Sequence, residues 1–245
     1  MMSEQQTQLP FLSIIAWKQR LVFWLGAIFV GLLIVMMTLL SEWAGQTYRV
    51  LSLNYPWFIF VIAPVGLSFT AWLTFRFFPG SERSGIPQVK TALEIIDNLD
   101  ERSKLISLRI VLGKMLLPIM GLFSGASVGF GGPAVQVGAS IMASLGKAVK
   151  FPPHYMEKGL ILAGSAAGFA AMFSAPLAGI VFAIEEMGRA MEERISSLVL
   201  TAIIFSGIIA YAILDTYIFL DDKSLIMPWG KSWLAIPLCG IAGGG

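Results

Sequence analysis

Three short stretches carry residue types that could bind an anion without a fixed charge. They are SGIPQV (Ser84–Val89), GGPAVQ (Gly131–Gln136) and SAPLAG (Ser174–Gly179). Each sets a serine or glycine at an N-cap position and a proline within the first turn. Proline is tolerated there because the first N–H groups of a helix have no intrahelical partner. All three predict helix beginnings, two of them inside apolar runs. A helix N-terminus offers unpaired N–H groups and the positive end of the helix dipole, which together attract anions. Broken helices aimed at a mid-membrane anion are a recurring transporter device. Partial charges also release an ion more readily than a lysine or arginine would. The opposing reading is that these residues only kink helices and ease their packing. Three sites with one layout favour a buried polar cavity.

Other reactive groups point less far. Glu185 and Glu186 end an apolar run, where an ionisable residue is a functional candidate. The plain alternative is a surface pair near Arg189. His154, the single histidine, lies in a short charged connection without a carboxylate or cysteine cluster, so a metal site is not expected. Cys239 stands alone, which excludes an internal disulfide and a cysteine-based metal site. Ser84, Ser165 and Ser174 lack a convincing base, which argues against an acyl-transfer enzyme.

The elements that must position these groups follow from composition. The chain has 245 residues, is 56% hydrophobic and only 13% charged. Soluble domains carry about a quarter charged residues, so lipid is the expected solvent. A net charge of +2 gives no argument for nucleic acid. Uncharged runs cover Leu21–Leu40, Trp57–Phe75, Met115–Gly146, Gly159–Ile184 and Ile195–Leu214. Spanning the hydrocarbon takes about 20 residues of helix, so the thirty-two residues Met115–Gly146 are not expected to form one plain span. A last run, 232–245, reads as the start of a further span. Basic residues concentrate before Leu21 and in the 76–114 segment, while the connection Ser41–Pro56 holds only Arg49. The positive-inside rule therefore places the N-terminus in the cytoplasm. Trp17, Trp24, Trp43, Trp57 and Trp229 lie near run ends as interfacial anchors. The small residues of GSAAGFAAMFSA (Gly164–Ala175) suit a helix contact or a pathway wall.

In order, SGIPQVKTAL (Ser84–Leu93), GASVGFGGPAVQVGAS (Gly125–Ser140) and AAGFAAMFSAPLAGIVFAIEEM (Ala166–Met187) resemble the CLC family of chloride channels and proton-coupled chloride transporters. The likeness runs from Leu21 to the end of the chain. It implies an all-α, polytopic fold of tilted and re-entrant helices, in two inverted halves. Residues 1–20 would be a cytoplasmic segment, 21–231 the first half, and 232–245 the start of the second. The later glycine-x-phenylalanine-x-proline start and a late anion-contacting tyrosine are not in this sequence, so a complete pathway would need more than this chain.

The resemblance also implies roles. Ser84, followed by Gly85, Ile86 and Pro87, matches the serine that contacts the central anion. Arg83 stands where the family usually has glycine, which would raise local anion concentration or simply face water. Gly129–Pro133 matches a glycine-basic-glutamate-glycine-proline motif, but Gly131 replaces the gating, proton-carrying glutamate and Phe130 the basic residue. Glu186 matches an internal proton glutamate. The expected function is chloride transport, channel-like or uncoupled. Ser84 would donate from the inner side, and the N–H groups of Gly131, Gly132 and Ala134 from the outer side. Phe130 is the nearest candidate for a steric plug. A homodimer in a bacterial inner membrane is implied, with chloride as transported ligand, lipid as surroundings and no cofactor. An antiporter with altered coupling, or a half-length non-transporting subunit, are the alternatives.

Overall fold

The computed structural model describes residues 14–95, 99–149, 155–187 and 197–214. These residues form an all-α, polytopic membrane fold with no strand among them. Four helical stretches are long and apolar enough to cross a membrane: Trp17–Asn54, Pro56–Phe77, Asp100–Phe123 and Ser197–Leu214.

The first helix, α1, spans Ile14–Asn54, 41 residues. It extends past the expected span at both ends. It takes in residues 14–20 of the predicted cytoplasmic segment and the predicted connection up to Asn54. No proline interrupts it before Pro56. Several of its polar side chains are satisfied within the helix. Ser41 and Thr47 hydroxyls donate to the carbonyls of Met37 and Trp43 at 2.6 and 2.7 Å, and Gln46 donates to Glu42 at 3.0 Å. At 1.5 Å per residue it is about 60 Å long, twice the roughly 30 Å hydrocarbon thickness. Phe23, Ala27, Val30, Ile34, Met37 and Ala44 form its buried stripe at helical spacing.

Next, α2 (Pro56–Phe77) buries no residue and presents apolar side chains all round. The short helices α3 (Ile86–Glu94) and α4 (Leu99–Leu105) lead into α5 (Leu108–Phe123). Lys114, read with a basic loop at the sequence level, therefore sits inside a helix. The thirty-two-residue run does divide, into α5 and α6 (Gly131–Val149). Between them Gly125 takes φ +88, and the N–H groups of Ser124 and Ala126 close on the Gly121 carbonyl at 3.1 and 2.9 Å.

The core is α6 against α7 (Tyr155–Met172). A Cβ on Gly138 would lie 2.0 Å from the Gly164 carbonyl oxygen, and one on Gly168 2.2 Å from that of Ala134. Within the small-residue stretch, Gly164 and Gly168 thus make a helix contact. The chain then breaks, and α8 (Pro176–Phe182) runs into a π-helical turn, Ala183–Met187. The last described helix, α9 (Ser197–Leu214), packs on α1 and α7; Trp24 Nε1 donates to Thr201 Oγ1 at 3.1 Å, so Trp24 is a packing residue rather than only an anchor. His154, Arg189, Trp229, Cys239 and the 232–245 run lie outside the described residues.

Candidate anion site

Two of the three expected helix starts meet. A Cβ on Gly132 would lie 2.3 Å from the Ser84 carbonyl oxygen, and one on Gly85 2.5 Å from the Gly132 carbonyl oxygen. The contact is possible only because both backbones are bare. Gly85 also sits at φ +117, a region costly for any residue with a Cβ. It caps α3: its N–H donates to Gln88 Oε1 at 3.0 Å, and its carbonyl accepts the Val89 N–H at 3.1 Å. Pro87 falls in the first turn, as the sequence predicts.

A cavity of about 620 Å³ opens at this meeting point. Its wall includes Ser81–Ser84 before α3, Thr70 and Thr74 of α2, Lys114 of α5, and Gly129, Gly131, Gly132 and Pro133. Ser84, Gly131 and Gly132 are thus brought together. The early N–H groups of α6 have no intrahelical partner by geometry, and the helix is 19 residues long, so its dipole is developed. Space beside Gly131 is open, the nearest atom to a built Cβ being Phe173 Cζ at 3.9 Å.

Several expectations fail here. Ala134 N–H donates to the Phe130 carbonyl at 2.9 Å, and Ala134 is fully buried against α7. It is the first donor to close the helix, so its N–H is spent within α6 rather than turned toward the cavity. Phe130 is 4% exposed and belongs to the hydrophobic core, so it caps α6 from behind and does not plug the cavity. The Phe130 carbonyl accepts the bond that opens α6, and Ala175 caps α8, so neither position is a serine or glycine. Ser174 instead takes φ +50 in the turn before α8.

The third helix start lies elsewhere. Ala175, Leu177 and the acids Glu185 and Glu186 line a second cavity of about 720 Å³, and Ile86 faces that one. Glu186 accepts from Lys90 Nζ of α3 at 2.5 Å, with side chains 46% and 35% exposed. Its partner is thus Lys90; Arg189, the expected neighbour, is not described.

Sequence reasoning missed Lys114, Ser81 and Glu82. Lys114 is 3% exposed and its ammonium donates to the Arg83 carbonyl, lending positive charge to the cavity while pinning the loop before Ser84. The available signal was its place as the last charge before the uncharged run. Among the described residues, no group of three or more His, Cys, Asp or Glu side chains is placed to hold a metal.

A family model described as "Voltage gated chloride channel" matches residues 60–245. The chain is 33% identical over 183 residues to the H(+)/Cl(-) exchange transporter ClcA of Cronobacter sakazakii, covering 71% of this chain and 36% of that protein. It is 29% identical over 194 residues to ClcA of Vibrio vulnificus, covering 76% and 40%. The X-ray structure of a slow cyanobacterial Cl-/H+ antiporter superposes with a TM-score of 0.62 at 28% identity, covering 91% of this chain and 55% of that one. The chain therefore spans well under two thirds of each of these relatives.

Proposed function

The chain belongs to the voltage-gated chloride channel family, and from that premise we propose that it forms the anion-binding first half of a chloride pathway lacking a proton-carrying gate. The observation that carries this is the meeting of the α3 and α6 starts at one cavity, bare backbone to bare backbone. Chloride sheds water against the Ser84 hydroxyl and the N–H groups of Gly131 and Gly132. Buried Lys114, one of whose N–H groups donates to the Arg83 carbonyl, supplies a positive field to the cavity. Donors fixed in a low-dielectric cavity replace hydration at little reorganisation cost. Partial charges keep the ion exchangeable.

Gly131 cannot titrate or compete with chloride, and this favours uncoupled passage over the exchange for which the relatives are named. Glu186 is ion-paired with Lys90 at a different cavity, which favours a structural role for it. The exposed apolar face of α9, with Ile204, Ile208 and Tyr211, suits pairing of two copies in a bacterial inner membrane. The test is chloride efflux from liposomes holding the protein's complete reading frame, with proton movement recorded, alongside Gly131→Glu. Chloride efflux without stoichiometric protons is expected. A fixed chloride-to-proton ratio in the unsubstituted protein would refute uncoupled passage.

A further inference from the structure

The cavity at the two helix starts holds a carboxylate that the pathway just described does not use. Glu82 lines it with Ser84, Gly131 and Gly132. It is the one acid among the described lining residues, facing two cations, Arg83 and Lys114, so the lining charge is two minus one, +1. Lys114 reaches the same wall from α5, its ammonium donating to the carbonyl of Arg83, which adjoins Glu82 in sequence. The carboxylate is parked: its two oxygens accept the Gly80 N–H at 2.9 and 3.1 Å. Beside it Ser81, 7% exposed, buries a hydroxyl oxygen that has no hydrogen-bond partner among the described residues and lines the same cavity. One short segment, Ser81–Ser84, therefore presents an anion, a cation and two hydroxyls to a single cavity.

We propose that Glu82 is a tethered competitor for transported chloride, setting how tightly this cavity holds the ion. The inference rests on the reading of the cavity as an anion pathway. A carboxylate on the wall repels chloride and cancels part of the field of Lys114 and Arg83. Being tethered, it acts at an effective concentration of about millimolar for those cations and the hydroxyl of Ser81. Only one hydrogen-bond donor, Gly80 N–H, holds it in its parked position. Chloride occupancy and the parked carboxylate thus favour one another. Glu82 is exposed, and a unit charge about 4 Å from another is worth about 1 kcal/mol even in water, or several-fold in occupancy, so one wall charge is enough to matter.

Glu82→Gln isolates the charge, since the amide oxygen still accepts from Gly80. Arg83→Gln, an exposed neighbour on the same wall, is its opposite. Chloride binding to the complete protein is titrated by calorimetry, and efflux measured in liposomes, at low and high ionic strength set with an impermeant salt. At low ionic strength Glu82→Gln is expected to tighten chloride binding several-fold, and Arg83→Gln to weaken it by a similar factor. Both shifts should shrink at high ionic strength. Shifts of the same sign, or affinity unchanged in Glu82→Gln while the unsubstituted protein binds chloride, would overturn the proposal. If the unsubstituted protein neither binds nor moves chloride, the anion-pathway reading itself falls.

Discussion

Gly131 and Gly132 are adjacent and identical in type, yet only Gly132 is expected to respond to a single methyl group. On Gly132 the new Cβ would lie 2.3 Å from the Ser84 carbonyl oxygen and 2.8 Å from its carbon. Ordinary contact begins at 3.4 Å, so the two helix starts must part by 3.4 minus 2.3, about 1.1 Å. Backbone cannot rotate aside as a side chain can. Overpacking costs about 1–3 kcal/mol, and this site belongs at the upper end. The same shift stretches the donors that converge on the cavity. Losing one hydrogen bond to a charged group costs about 1.5–3 kcal/mol, or roughly 10- to 100-fold in affinity. On Gly131 the Cβ meets only Phe173, at 3.9 Å. A substitution without such a clash stays within about 0.5 kcal/mol. The assay is thermal unfolding of the detergent-solubilised complete protein, with chloride titrated by calorimetry. Gly132→Ala should lose both stability and chloride affinity, and Gly131→Ala neither. Equal behaviour of the two variants, in either direction, would refute the argument that backbone contact between α3 and α6 builds the site.

Two ion pairs, Lys90–Glu186 and Arg102–Glu157, are expected to differ sharply. Lys90 and Glu186 are 35% and 46% exposed, so a double-mutant cycle with Lys90→Met and Glu186→Gln should give a coupling of about 0.2–1 kcal/mol; a value of several kcal/mol would mean that the pair is sealed from solvent. Arg102 has a side chain only 3% exposed, bonded to Glu157 at 2.5 Å and to the Ile95 carbonyl at 2.9 Å. Arg102→Met strands a carboxylate that is itself mostly buried and should cost about 3–5 kcal/mol in denaturant unfolding; a loss below 1 kcal/mol would show that water reaches the pair.

How much was legible depended on range. Helix starts at Ile86 and Gly131, and the break in the long uncharged run, followed from proline, glycine and the orphan N–H rule, which act within one turn. The length of α1 did not, because Ser41 and Thr47 look like loop residues until their hydroxyls are seen to fold back on the helix. Phe130 was misread for a related reason. A residue just before a helix start can point toward the opening or toward the core. That choice is made by the hydrophobic cluster that buries it, not by its spacing. Lys114 and Glu82 were hidden in a run of charges that looked like solvated loop. Only the folding of α5 against the α2–α3 connection carries them to the site.

The glycines of GFGGP therefore answer to different constraints. Gly132 is fixed by packing, since no side chain fits between α6 and Ser84. Gly131 is under no such constraint, because open space stands beside it and its backbone needs no positive φ. A carboxylate at 131 would fit without disturbing the α3–α6 contact, so its absence is a difference in chemistry rather than a requirement of the fold. The anion site and the gate are thus separable. Backbone geometry at 85 and 132 builds the first, and it persists whatever stands at 131. With that position empty, the charge balance of the cavity falls to its wall, where Lys114 and Arg83 face Glu82.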